Sequence, residues 1–280
     1  MPGTSRVRTE RTELSLSDFE KEIFELSPDS ECINMLIYGD SNAGKTVVAG
    51  SCPGRTFWLV GEPGYKSATR RGAEGNGVIV SDTAKAWAAV DWLEAKSRRT
   101  GKPRYESLDW IVLDGLSTIQ NRFRLGYAAE AFDNNPAKRQ HRNLPDKPDY
   151  FNTQNFLKSW IPRLVDMPVN FLITAHAFRT ESEDGELVVF PGIQGKGMEV
   201  ANAISGLMDV TTYMEAKRLR VRDSDETRIV RRMWFESPTR TSKREDAVRY
   251  ICGEKFGVLG RYMDRPTIPR LLAKISGEEK

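Results

Sequence analysis

Histidine and cysteine are scarce in this chain, with 2 His and 3 Cys among 280 residues. His141 and His176 stand far apart and no cysteines cluster, so no zinc-ligand spacing exists. Cys32, Cys52 and Cys252 are odd in number and scattered, which excludes a disulfide framework and fits a reducing compartment. No apolar run approaches membrane-spanning length, and no apolar signal-peptide core stands at the N-terminus. The expectation is a cytoplasmic protein with no membrane partner. An excess of one charge is also missing. Lys and Arg total 42 against 39 Asp and Glu, for a net charge of +3. Any nucleic-acid contact must therefore come from local clusters. Internal repeats, low-complexity tracts and a composition break that would mark a second domain are absent too.

Against that plain background one stretch stands out: Gly39-Asp40-Ser41-Asn42-Ala43-Gly44-Lys45-Thr46. It has the form G-x-x-x-x-G-K-[ST], the phosphate-binding P-loop. The apolar run Ile33 to Tyr38 precedes it and the helix-compatible Val47-Val48-Ala49 follows. Gly39 and Gly44 allow the backbone N–H groups to curl around phosphate. Lys45 reaches β- and γ-phosphate oxygens, and the Thr46 hydroxyl is a Mg²⁺ ligand in such a loop. ATP and Mg²⁺ are the expected cofactors.

Apolar runs at 33–38, 56–60, 78–80, 110–114 and 169–174 read as strands. Helical spacing appears over 83–95, around Phe156, Trp160 and Leu164, and near 198–207. This alternation predicts an α/β fold with a mostly parallel central sheet flanked by helices. A strand is expected near 209–214, and further strands at 217–222 and 228–235, so that late antiparallel strands join the sheet. Residues 177–190 read as a hairpin turning at Asp184-Gly185. Residues 120–149, with Pro136, Pro145 and Pro148, read as irregular, and 246–252 and 266–275 as helical. The expected domains are an arm with a short amphipathic helix over 1–30, an ATPase core over 31–275 and a polar tail over 276–280.

Ligands of such sheets sit at the carboxyl ends of the strands. Asp114 closes the apolar run 110–113 and would hold Mg²⁺ in the manner of a Walker B acid. Glu62 follows the second strand and is placed to align and deprotonate an attacking water. His176 follows the 169–174 run and reads as a γ-phosphate sensor or as a structural strand-end residue. The 177–197 segment would then be the moving part. Its Lys196 stands between glycines and reads as a DNA contact, a reach to a neighbour's nucleotide or a solvated lysine. Basic clusters at Lys138-Arg139-Arg142, at Lys217 to Arg232 and at Arg240-Lys243-Arg244 are candidate phosphate contacts, although charge runs commonly face solvent. Tyr127, Phe132 and Tyr150 near the first cluster add stacking surfaces, which suits a single strand.

The ordered set of P-loop, Glu62, Asp114 and a polar strand end before a loop resembles the RecA-type ATPase core. Gly61-Glu62-Pro63-Gly64, Thr174-Ala175-His176, Pro191-Gly192-Ile193-Gln194-Gly195-Lys196 and Phe256-Gly257-Val258-Leu259 resemble features of compact phage ATPases of DNA recombination and single-strand annealing. The resemblance implies an ATPase that binds single-stranded DNA, assembles into a homo-oligomeric ring or filament, and promotes annealing or strand pairing in the host cytoplasm. It departs from RecA at His176, where RecA commonly has Gln. Other readings are a nucleotide-gated DNA-binding or loading factor with little turnover, a helicase or motor, and a small-molecule P-loop kinase. A GTPase is disfavoured because no Asn-Lys-x-Asp segment is present.

Overall fold

A computed structural model describes residues 32–195, 197–220, 227–238 and 248–279. The chain divides into residues 1–31 and 32–280. The arm and helix expected over 1–30, Lys196, Arg222, the 223–226 turn and the Arg240-Lys243-Arg244 cluster lie outside the described residues.

The centre is a parallel sheet. Strands β1 (Asn34–Gly39), β2 (Thr56–Val60), β3 (Asn76–Ile79), β4 (Trp110–Asp114) and β5 (Asn170–Glu181) alternate with helices. The helices are α1 (Lys45–Ala49), α2 (Tyr65–Thr69), α3 (Thr83–Glu94), α4 (Leu116–Asn134) and α5 (Lys147–Val165). Then follow β6 (Leu187–Pro191), α6 (Glu199–Leu207), β7 (Val210–Arg220) and β8 (Thr227–Trp234). Short strands β9 (Val248–Tyr250), β10 (Gly253–Glu254) and β11 (Tyr262–Asp264) precede α7 (Ile268–Ile275). The sheet order is β11-β8-β7-β1-β5-β4-β2-β3, so β5 lies between the P-loop strand and the Walker B strand.

The apolar runs are continuous because both sheet faces are covered. Leu36, Tyr38, Leu59, Ile111, Leu113 and Ile173 pack against α3, α4 and α5 on one face. Met35, Ile37, Trp58, Val60, Val112 and Leu172 pack with Val48 and Ala49 of α1 and Leu271 of α7 on the other. Alternate residues of a strand point to opposite faces, so one run fills two cores. Burying each large aliphatic chain contributes about 1.5–3 kcal/mol.

Three expectations are corrected. Residues 120–134 are not irregular: they continue α4, which buries Leu116, Ile119, Phe123 and Ala128. Only 135–146 lacks a long helix, and Pro148 sits in the first turn of α5, where a missing N–H costs nothing. Asp146 and Asp149 close a capping box there. The hairpin read over 177–190 is present, turning at Asp184-Gly185. In it β5 runs on past the core sheet and pairs antiparallel with β6, leaving 192–198 as the connection. Residues 248–250 are not helical but form a strand parallel to β6. The strands expected at 209–214 and 217–222 form one strand, β7, as far as Arg220.

Candidate active site

The P-loop leaves β1 at Gly39, and the fold demands glycine there. A Cβ on Gly39 would stand 2.2 Å from the Met214 carbonyl oxygen of β7. Gly44 has φ 103°, which favours glycine, and it precedes α1 directly. Lys45 is buried, and its Nζ donates to the carbonyl oxygens of Gly39 (2.9 Å) and Asp40 (2.8 Å). Burial pulls its pKa down, while Asp114, Glu62 and Asp40 oppose that shift. A polyphosphate would give this ammonium charged acceptors in place of neutral carbonyls.

Behind the loop stands Asp114, buried at the end of β4. Thr46 Oγ1 donates to it at 2.9 Å, and Thr174 Oγ1 donates to the same Oδ1 at 2.6 Å. Burial raises the Asp114 pKa, and the two hydroxyls partly offset that. Two hard oxygen donors, from Thr46 and Asp114, within hydrogen-bond distance of each other are a chemical fit for Mg²⁺. Thr174 also accepts the Gly115 N–H at 2.9 Å. It is therefore the pin between β5 and the Walker B turn, a role that sequence reasoning missed.

Glu62 lies across a cleft of about 450 Å³ that is lined by Lys45, Thr46, Glu62, Gly64, Thr174 and His176 among others. Its carboxylate accepts weakly from Thr118 Oγ1 at 3.4 Å and lies 3.9 Å from His176 Nε2. Both side chains remain partly open, at 38% for Glu62 and 37% for His176. His176 is not at a strand end, as its spacing suggested. It sits opposite Gly39 in the parallel pairing, and β5 continues beyond it. Its N–H donates to Ser117 Oγ, and its carbonyl accepts from Gly192 N–H at 2.6 Å. Gln120 then holds the backbone of Gln194 through both its N–H and its C=O.

Of the remaining P-loop residues, Asp40 is clamped by the Arg179 guanidinium through two bonds of 2.8 and 2.7 Å. That hydrogen-bonded guanidinium holds the Asp40 carboxyl below its usual range. Ser41 and Asn42 line the cleft mouth, and Ala43 is buried beneath the loop. Lys66 and Arg70 of the α2 segment also line the cleft. Nothing in their local sequence marked them, because the fold alone turns α2 toward the P-loop.

The basic cluster at 138–142 looks different in three dimensions. Arg139 makes a bidentate pair with buried Asp149 (2.6 and 3.0 Å), and Arg142 makes one with Asp133. These arginines pin the 135–146 connection to α4 and α5, Arg139 through a buried pair and Arg142 through a half-exposed one. Among the described residues, no cluster of three or more His, Cys, Asp or Glu could hold a metal, and no helix is long and apolar enough to cross a membrane.

A P-loop on a central parallel strand, a buried acid on a non-adjacent strand and an inserted strand between them define a nucleotide-binding P-loop ATPase of RecA-like fold. The chain belongs to the AAA domain family, whose model it matches over residues 31–244. No curated protein matches the sequence. Among solved structures, it is similar to a KaiC-like protein from the hyperthermophilic archaeon Pyrococcus horikoshii OT3. That match has 10% identity and a TM-score of 0.37, over 72% of this chain and 77% of that one. It is also similar to the flagellar accessory protein FlaH from Methanocaldococcus jannaschii. There the identity is 12% and the TM-score 0.36, over 79% of this chain and 84% of that one. Overlap that loose carries no function from either protein.

Proposed function

We propose that this protein hydrolyses ATP in a magnesium-dependent reaction and couples the nucleotide state to single-stranded DNA, acting as a homo-oligomer in phage-type annealing or strand pairing. One observation carries the hydrolytic half: Glu62 faces the P-loop across the cleft, held near Thr118 and His176. A water between Glu62 and the γ-phosphate attacks phosphorus, and Glu62 takes its proton. The bond to the β–γ bridging oxygen breaks, leaving ADP and inorganic phosphate. Lys45 steadies the charge that builds on the phosphoryl oxygens. Thr46 and Asp114 would hold Mg²⁺, which supplies charge neutralisation at the β- and γ-phosphates.

Two surfaces support the DNA half. A groove lined by Tyr150, Phe178, Phe190 and the 192–195 connection offers ring faces for bases, with the Arg124 guanidinium 4.7 Å over Tyr150. The His176–Gly192 and Gln120–Gln194 bonds tie that groove to the cleft. Lys217, Arg218 and Arg228 are exposed on β7 and β8, beyond the P-loop edge.

The test is phosphate release with and without single-stranded DNA for wild type, Lys45→Ala and Glu62→Gln. Glu62→Gln should bind ATP normally but turn it over roughly 100-fold more slowly or worse. Lys45→Ala should lose binding. Turnover of Glu62→Gln within about threefold of wild type would exclude Glu62 as the general base. Turnover indifferent to DNA, with no salt-sensitive DNA affinity, would remove the DNA half.

A further inference from the structure

We propose that Arg231 is a nucleotide-binding residue that holds the phosphate chain from the flank opposite Glu62. The proposal rests on the reading of the P-loop as the nucleotide site. Strand β8 carries two consecutive arginines on opposite faces. Arg232 is fully engaged: it makes a bidentate pair with Asp264 (2.8 and 2.9 Å) and stacks 3.8 Å over Tyr262. Arg231 is not. It pairs across β7 with Ala216, two residues beyond the Met214–Met233 pair and so on the same face, where those side chains pack on the α1 side of the sheet.

There its side chain lies against Gly44. A Cβ on that glycine would sit 2.7 Å from Arg231 Nε and 2.8 Å from its Cδ. The Arg231 Nε is buried and has no hydrogen-bond partner, and no ion pair joins the side chain to a carboxylate among the described residues. An arginine left with a buried donor unpaired costs free energy unless an anion completes it. The position beside the phosphate cradle names that anion.

The sheet order says which part of the nucleotide it meets. Glu62, Asp114 and His176 follow or sit on β2, β4 and β5, all on one side of β1. Arg231 comes from β7–β8, on the other side. The bond that breaks lies toward Glu62, so Arg231 meets phosphate that ADP and ATP share. Its guanidinium is a fork of donors that suits phosphate oxygens better than a lysine ammonium does. Gly44 thus has two reasons to be glycine: its left-handed backbone and the arginine shaft that occupies the Cβ position.

The test is calorimetric titration of ADP, and of ATP in a Glu62→Gln background, into wild type, Arg231→Met and Arg231→Lys. Methionine keeps most of the shaft against Gly44, and circular dichroism checks that each variant folds. Arg231→Met should weaken ADP and ATP equally, by about 10- to 100-fold, with lysine in between. Unchanged affinity in a folded Arg231→Met, beside normal wild-type binding, overturns the role of Arg231 alone. A loss confined to ATP overturns the placement on shared phosphate. Failure of wild type to bind either nucleotide overturns the parent reading as well. In mixtures of Arg231→Met with Lys45→Ala, recovered ATP turnover would mean that the arginine serves a neighbouring subunit, which also refutes the proposal.

Discussion

Replacing Thr174 by valine tests the buried pin at the heart of the site. Valine keeps the shape and removes only the hydroxyl. Two bonds vanish: the 2.6 Å donation to Asp114 and the 2.9 Å acceptance from Gly115 N–H. A hydrogen bond to a charged group contributes about 1.5–3 kcal/mol, and an orphaned buried N–H costs about 1–3 kcal/mol. Relief from burying a hydroxyl offsets roughly 1–2 kcal/mol of this. The net expectation is a loss of about 3 kcal/mol in the nucleotide-free protein. At about 2–4 °C per kcal/mol for a domain of this size, Tm should fall by roughly 6–12 °C. Urea unfolding of wild type, Thr174→Val and Thr174→Ser measures it, with serine expected to recover most of the loss. A Thr174→Val loss below about 1 kcal/mol, or a serine variant no better than valine, would refute the pin.

Other outcomes follow from the ion pairs. Arg179 holds the Asp40 carboxyl below its unfolded value, so that pair stabilises the fold above pH 3.8 and loses its effect as pH falls through the lower folded value. Both groups are about half exposed, so a double-mutant cycle with Asp40→Asn and Arg179→Met should give a coupling of only about 0.5–1 kcal/mol at pH 7, shrinking below pH 3.8. A coupling that grows on acidification would reverse the sign of the reasoning. Arg139→Ala removes both guanidinium bonds to the buried Asp149 carboxylate, leaves it the Asp146 N–H, and should lower the unfolding midpoint in heat or urea. Exposed Lys138→Ala should stay within about 0.5 kcal/mol of wild type. Equal effects at the two positions would return Arg139 to the class of surface charges.

The parallel core was legible because strands covered on both faces leave continuous apolar runs, as at Met35–Tyr38 and Trp110–Leu113. The P-loop was legible because local backbone geometry dictates its glycines, and Glu62 and Asp114 because they directly follow or end such runs. Helix α4 was not. Gly126 and a mix of Asn, Arg and Glu blur its stripe, and the prolines after it drew the segment into an irregular reading. Strand β9 is three residues long and exists through pairing with β6, which no local pattern announces. The partners of Asp40 and Gly44 lie on β5 and β8, far along the chain, and only the folded sheet brings them together.

Strand β5 has a mechanical consequence. It is one unbroken rod with its first half locked between β1 and β4, and its second half forms one arm of the hairpin with β6. His176 stands at the fulcrum. The arm reaches five residues further to Glu181, roughly 16 Å at about 3.3 Å per residue. A tilt of about 5° at the fulcrum would swing that tip by roughly 1.4 Å over such a length. Arg179, riding on the arm, is joined to Asp40 beside the phosphate cradle by a half-exposed ion pair. Under the proposed function, a sub-ångström adjustment at the nucleotide would become a larger displacement at the hairpin end.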